Sequence, residues 1–207
     1  MKQLISRRSF LKAAGVTTAV AAVSLGAPAA SACYPGSFKD ITILYTNDVH
    51  TYIDKKSPEL TYAAIAALKK SYQDAGKNVL LVDAGDHIQG TAYGSMDEGA
   101  SIIQLMNAAG YDAATPGNHE FDYGYDNLVK LSRTAKFPIL SANTLYNGKT
   151  AFGDNKIFTA PDGTRIGVFG LETPETATKA HPGKIKGVTF PAGQEMFKIA
   201  QNQVNAL

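Results

Sequence analysis

Thr115-Pro116-Gly117-Asn118-His119-Glu120-Phe121-Asp122-Tyr123-Gly124 is the stretch on which the reading of this chain turns. It places an amide, an imidazole and two carboxylates within five positions, flanked by glycines. Glycine lets a backbone take a tight path close to a ligand. A strand-like run over 113–115 feeds into the stretch, and a helical run over 125–133 leaves it. Polar side chains on a bent loop at the mouth of a strand are where α/β proteins place their ligands.

Toward the N-terminus, two further strand-like runs end the same way. Ile41-Thr42-Ile43-Leu44-Tyr45 holds five β-formers without a charge and leads into Asn47-Asp48-Val49-His50. Val79-Leu80-Leu81-Val82 leads into Asp83-Ala84-Gly85-Asp86. Both runs predict buried strands. Between them Ser57-Pro58 predicts a helix start, with Ile65, Leu68 and Tyr72 on its apolar face and Gly76 as its stop. A second helix is expected over 98–109, with Ile102, Leu105, Met106 and Ala109 inward and Gly110 closing it. Strands alternating with helices predict an α/β fold with neighbouring parallel strands.

Toward the C-terminus, Pro138-Ile139-Leu140 predicts a short fourth strand that ends at Ser141-Ala142-Asn143. The pattern then changes. Runs over 156–159 and 165–171, joined through Pro161-Asp162-Gly163, predict an antiparallel hairpin. Over 194–207, Met196, Ile199, Ala200, Val204 and Leu207 recur at helical spacing with no Gly or Pro terminator. This predicts a chain that ends inside an element and is truncated.

Three successive strands therefore end in metal-type side chains. Asp48 and His50 stand two apart, so in an extended segment they project to one side. Asp86 sits on a Gly-preceded turn, and Asn118 and His119 follow the third strand. Parallel neighbours lie about 5 Å apart, so these groups can meet along one edge of the sheet. Carboxylate, imidazole and amide together suit a divalent ion of borderline hardness, such as Zn, Mn or Fe. A D-x-H tripeptide or a Gly-Asp alone is ordinary in solvated loops. The three pieces in this order, each behind a strand, carry the argument.

Composition bounds the rest. The chain has 207 residues, 44% hydrophobic and 18% charged, enough for one domain with a real core. A net charge of +2 excludes a nucleic-acid polymer as the expected partner. Ser6-Arg7-Arg8-Ser9-Phe10-Leu11-Lys12 precedes an apolar run over 13–25 that is too short to span a bilayer stably. Paired arginines ahead of such a run, followed by Ala27-Pro28-Ala29-Ala30-Ser31-Ala32, have the layout of a twin-arginine export signal over 1–32. Residues 33–39 read as a linker and 40–207 as the globular part. Cys33 is the single cysteine, which rules out an internal disulfide. It is either a lipidation site or a chance cysteine beside the cleavage point. Export implies a periplasmic, cell-surface or extracellular location, with a lipid anchor if Cys33 is modified.

The quoted residues carry a resemblance. Asn47-Asp48-Val49-His50, Gly85-Asp86 and Gly117-Asn118-His119-Glu120-Phe121-Asp122-Tyr123-Gly124 resemble the first three sequence blocks of the calcineurin-like metallophosphoesterases. More narrowly, they are similar to the secreted bacterial 5′-nucleotidase branch. Ser141-Ala142-Asn143 and Leu171-Glu172-Thr173-Pro174 extend the similarity. Thr51 departs from it, standing where the family often has Gly, and little effect is expected.

The resemblance implies a four-layer α/β/β/α metallophosphoesterase sandwich, incomplete in this chain, with a two-metal centre of Zn, Mn or similar ions. It implies Asp48, His50 and Asp86 on the first ion, and Asp86 and Asn118 on the second. It implies His119 facing the phosphate, with Asp122 hydrogen-bonded to it, in the hydrolysis of nucleotides by an activated water. The family's later histidines and its C-terminal substrate domain are absent from these 207 residues, so weak or no activity is expected of the chain alone. His87 and His181 do not replace them and read as loop or structural residues. Tyr45, Tyr52, Tyr93, Tyr123 and Tyr125 read as packing or surface residues. A 2′,3′-cyclic nucleotide, a 3′-nucleotide or a UDP-sugar stays open as substrate, and so does a non-catalytic exported metal-binding or interaction module.

Overall fold

The structure, a computed structural model, describes residues 40–53 and 61–207. They belong to the second of two units, Lys39–Leu207, the first being Met1–Phe38. The export signal, Cys33, the linker and the Ser57-Pro58 helix start lie outside the described residues.

Strands β1 (Ile41–Thr46), β2 (Asn78–Asp83) and β3 (Ala113–Ala114) form a parallel sheet in that order, with Tyr45 opposite Val82 and Val82 opposite Ala113. Central β2 buries Leu80 and Leu81. The expectation of a buried strand fails for β1. Ile41, Ile43 and Tyr45 are exposed, while Leu44 packs against the core from the other face. Side chains alternate across a strand, so an unbroken apolar run does not say whether both faces are covered. The fourth strand reduces to two isolated parallel bridges, Ala114 with Ile139 and Leu140 with Gly153. Pro138 accepts from Ala114 N–H, but without an N–H of its own it cannot extend the ladder.

Helix α1 (Tyr62–Asp74) takes its cap from Thr61, whose hydroxyl accepts from Ala64 N–H. Its buried residues are Tyr62, Ile65 and Lys69, and Leu68 is exposed rather than inward. The helix is turned so that Lys69 reaches Asp112 at 2.8 Å and the Gly110 carbonyl. The same Asp112 oxygen accepts from Leu81 N–H, which ties helix to sheet. A short helix, α2 (Ala92–Ser95), precedes α3 (Ala100–Ala109), which buries Ile102, Ile103, Met106 and Ala109 and stops at Gly110 as expected. Helix α4 (Tyr125–Thr134) buries Leu128 and Leu131. Ile65, Leu81, Ile88, Ile102, Met106, Leu131 and Ile139 meet in one apolar core.

Beyond this lie β4 (Leu145–Tyr146), β5 (Lys149–Thr150) and the expected hairpin of β6 (Asn155–Thr159) and β7 (Arg165–Phe169). Strand β7 stops two residues early, where Gly170 crosses the Leu140 carbonyl too closely for a side chain. Helix α5 (Thr176–Lys179) and β8 (Val188–Thr189) follow, and β8 joins β4 and β5 in a small antiparallel sheet that sequence periodicity does not reveal. Two-residue strands carry too few side chains to show a period. Helix α6 (Gly193–Ala206) closes the described chain, but only Ala200 on it is buried. None of the helices among the described residues is long and apolar enough to cross a membrane.

Candidate metal centre

The three loops that follow β1, β2 and β3 are laced to one another. Asp48 N–H donates to the Gly85 carbonyl at 3.1 Å, and His50 N–H donates to the Asp86 carbonyl at 2.9 Å. His119 N–H donates to Asp86 Oδ1 at 2.9 Å. Two glycines permit this approach. A Cβ on Gly85, whose φ is +105°, would lie 2.5 Å from Gly117 N, and one on Gly117 would lie 2.4 Å from Asp86 Oδ1.

Beneath the loops Glu120 acts as a common acceptor. It is fully buried and takes N–H bonds from Asp86 and Gly117 at 2.6 Å each, from His87 at 2.8 Å and from Ile88 at 3.1 Å. Its charge is faced by buried His87, whose Nδ1 lies 3.6 Å from Glu120 and 2.7 Å from Asp83. Burial alone would lower the His87 pKa, but the Glu120 and Asp83 carboxylates outweigh it and push the imidazole up to about 9. Asp83 also accepts from Thr46 Oγ1 and Gly85 N–H, so the network reaches back to β1. Glu120 stands inside the 115–124 stretch, yet the motif by itself assigns it no role. Its place three residues after Gly117, as the third residue of a short helical turn, is a capping pattern that signals an acceptor.

The ligand atoms of His50, Asp86 and His119 lie within 4.8 Å of one another, all three residues half-buried. His50 Nδ1 is 3.0 Å from the Gln89 carbonyl, and His119 Nδ1 is 2.7 Å from Asp122 Oδ2. Each ring therefore spends Nδ1 within the protein and leaves Nε2 for a ligand. The two rings meet edge to face, with centroids 5.0 Å apart. Asp48 stands at the rim, its Oδ1 3.7 Å from His50 Nε2 and its other oxygen bonded by Asn47. Asn118, half-buried, opens the Asn118–Phe121 turn beside His119.

The extended D-x-H segment is not what the chain adopts. Asp48, His50 and Asp86 have φ of +54°, +47° and +61°, a left-handed backbone that side chains other than glycine enter rarely. The two side chains approach because the loop turns back, not because the strand continues. Strained backbone held by over-determined surroundings clusters at functional sites. Burial pushes the Asp86 carboxyl above the usual range, against the pull of the His119 N–H. For His119, burial pulls the pKa down, but the hydrogen bond and charge of Asp122 raise it overall.

The other segments of the resemblance hold each other. Asn143 Nδ2 donates to the Glu172 carbonyl at 2.8 Å, and Glu172 N–H donates to Asn143 Oδ1 at 2.7 Å, both residues buried. His181 caps the Pro182–Lys184 turn at the surface. Tyr125 stacks on Tyr146 at 4.3 Å.

Comparisons with known proteins point to one family. Residues 41–198 match the calcineurin-like phosphoesterase family, and residues 4–24 match the twin-arginine translocation signal, which marks the chain for export. The 5′-nucleotidase of Mus musculus is 37% identical over 173 residues, which cover 75% of this chain and 29% of that protein. Among solved structures, a 5′-nucleotidase precursor from Thermus thermophilus has a TM-score of 0.69 at 29% identity, covering 80% of this chain and 34% of its own. A calcineurin-like phosphoesterase from Bacillus subtilis has a TM-score of 0.65 at 30% identity, covering 79% and 57%. The chain spans about three tenths of the length of the curated relatives it matches. With its sequence blocks, its α/β sheet and its relatives in agreement, the chain belongs to the calcineurin-like phosphoesterase family.

Proposed function

We propose that this end of the sheet holds two divalent cations and takes part in the hydrolysis of phosphate esters, nucleotides above all, in the manner of a 5′-nucleotidase. The gathering of His50, Asp86 and His119 within 4.8 Å carries the reading. The donors fit such ions. The His50 imidazole, with Nδ1 already committed, and the half-buried Asp86 carboxylate make a borderline-hard pair suited to Zn or Mn. Asp48, His50 and Asp86 would hold one ion, and Asp86 and Asn118 the other. When bound, the ions supply positive charge for the phosphate oxygens and an acidified water as nucleophile.

The chain's own residues do the rest. Asp122 accepts from His119 Nδ1–H, so that the second proton of the imidazolium lies at Nε2 and faces the phosphoryl group as charge builds there. The raised pKa of His119 favours the imidazolium that this task needs. Glu120 holds the loops carrying Asp86 and Gly117 in one geometry, so that orientation is settled before the substrate arrives.

Residues 40–207 would form the N-terminal part of the catalytic domain, after an export signal over 1–32 and a linker over 33–39. Nucleotide preference rests on the names of the relatives. Cys33 would be the attachment point of a lipid anchor at the cell surface, which the mass of the exported protein reports against a Cys33→Ala control.

The test is calorimetric titration of Mn2+ and then AMP into the protein and into Asp86→Asn. Binding of Mn2+, AMP binding that requires Mn2+, and loss of both in the variant are expected. Unchanged Mn2+ affinity in Asp86→Asn overturns the reading. Phosphate release, whatever its absolute rate, is expected to be greater from AMP than from 2′,3′-cyclic AMP or UDP-glucose.

A further inference from the structure

Thr51 stands against a backbone rule. It is β-branched, fully buried, and has φ +57°, where such side chains are outliers. Glycine would occupy this conformation without strain. The hydroxyl explains what the threonine adds. Thr91 N–H donates to Thr51 Oγ1 at 2.7 Å, and Thr91 Oγ1 donates to the Thr51 carbonyl at 3.0 Å. The two hydroxyl oxygens are 2.7 Å apart. Because the Thr91 proton goes to the carbonyl, the proton between the hydroxyls comes from Thr51. A closed ring of three hydrogen bonds thus joins the loop after β1 to the start of α2.

Two neighbours are shaped around this ring. Thr91 occupies the N-cap of α2, yet its side chain makes no capping bond, because the hydroxyl is used on Thr51. Gly94 leaves room for the Thr51 methyl, since a Cβ there would lie 2.4 Å from Thr51 Cγ2.

The ring sits directly behind a candidate ligand. His50 precedes Thr51, and Gln89, two residues before Thr91, presents its carbonyl 3.0 Å from His50 Nδ1. Thr91 N–H also reaches the His50 carbonyl at 3.4 Å. The bond made by one imidazole nitrogen sets which nitrogen the ring offers to an ion. We propose that Thr51 and Thr91 are a positioning pair for His50: their hydroxyl ring holds the Gln89 carbonyl against Nδ1 and so turns Nε2 toward Asp86 and His119. This rests on the metal-centre reading above.

The test is Mn2+ affinity by calorimetry alongside the thermal midpoint, on the full chain. Thr51→Gly removes the strain and the hydroxyl together, so its midpoint does not fall while its Mn2+ affinity drops about tenfold. Thr91→Val loses affinity to a similar degree, and Thr51→Ser, which keeps the hydroxyl, retains wild-type affinity. A merely structural role moves affinity and midpoint together. The proposal is overturned if Thr51→Gly binds Mn2+ as tightly as the wild type, or if Thr51→Ser loses as much as Thr51→Gly. His50→Ala separates the two readings. Affinity lost in His50→Ala but intact in Thr51→Gly overturns the positioning pair alone. A wild-type protein that binds no Mn2+ overturns both.

Discussion

Strand β2 buries four of its six residues, whereas the hairpin strands β6 and β7 bury none. Helix α3 buries four residues and the longer α6 only Ala200, leaving Val204 exposed. The parallel-sheet region is therefore built around its own core, and the hairpin region leans on it. The candidate site lies entirely in the first region. Left-handed Asp48, His50 and Asp86 persist there because buried Glu120 and the laced loops leave them no alternative. The lesson is that the strained, chemistry-bearing loops sit over the best-packed part of the chain. The Asn143–Glu172 pair joins the two regions.

The largest test of that contrast is Glu120→Ala. It leaves four N–H groups without their acceptor and the His87 charge without one of its two carboxylates, so stability should fall by about 3–5 kcal/mol. Urea unfolding measures it, and a loss below about 1 kcal/mol would mean that water replaces the carboxylate. Next is the joint. Asn143→Ala removes two buried hydrogen bonds and should cost about 2 kcal/mol. Limited proteolysis should then cut the hairpin region while sparing the parallel sheet. Cleavage spread evenly over both regions would show that they unfold as one.

A smaller effect depends on pH. Burial raises the Glu172 carboxyl from 4.5 to about 8, with the Thr176 hydroxyl bond pulling the other way. The folded state holds this proton more tightly than the unfolded state. Its contribution is complete below pH 4.5 and is lost as pH rises through 8. Glu172→Gln should therefore gain thermal midpoint over the wild type as pH rises from 5 to 9. Parallel curves would show that the carboxyl is charged throughout. The smallest effect is expected on α6, where Val204→Ser should change stability by no more than about 0.5 kcal/mol. A larger loss would show that this face is covered in solution.

A good part of the architecture was legible. Apolar runs marked β1 and β2, Gly110 marked the end of α3, and Pro161-Asp162-Gly163 marked the hairpin turn. The misses have physical causes. Polarity puts Leu68 on the inward face of α1, but Lys69 lies inside instead because Asp112 and the Gly110 carbonyl receive its ammonium. The edge position of β1 depends on which neighbours it has, and no residue within the strand states that. Thr51 reads as a minor departure in sequence because a φ angle is invisible in a string of letters.

Residue types and their order determined the class of chemistry. Carboxylates, imidazoles and an amide behind three strands suit borderline-hard cations, and that match is a property of the side chains themselves. Folding decided which groups share a site. His50, Asp86 and His119 meet, with Asp48 at the rim, because the backbone turns left-handed at Asp48, His50 and Asp86 and because Glu120, 34 positions beyond Asp86, binds the loops together. Such contacts join residues distant in the chain, and their energy arises only once the intervening strands and helices have packed.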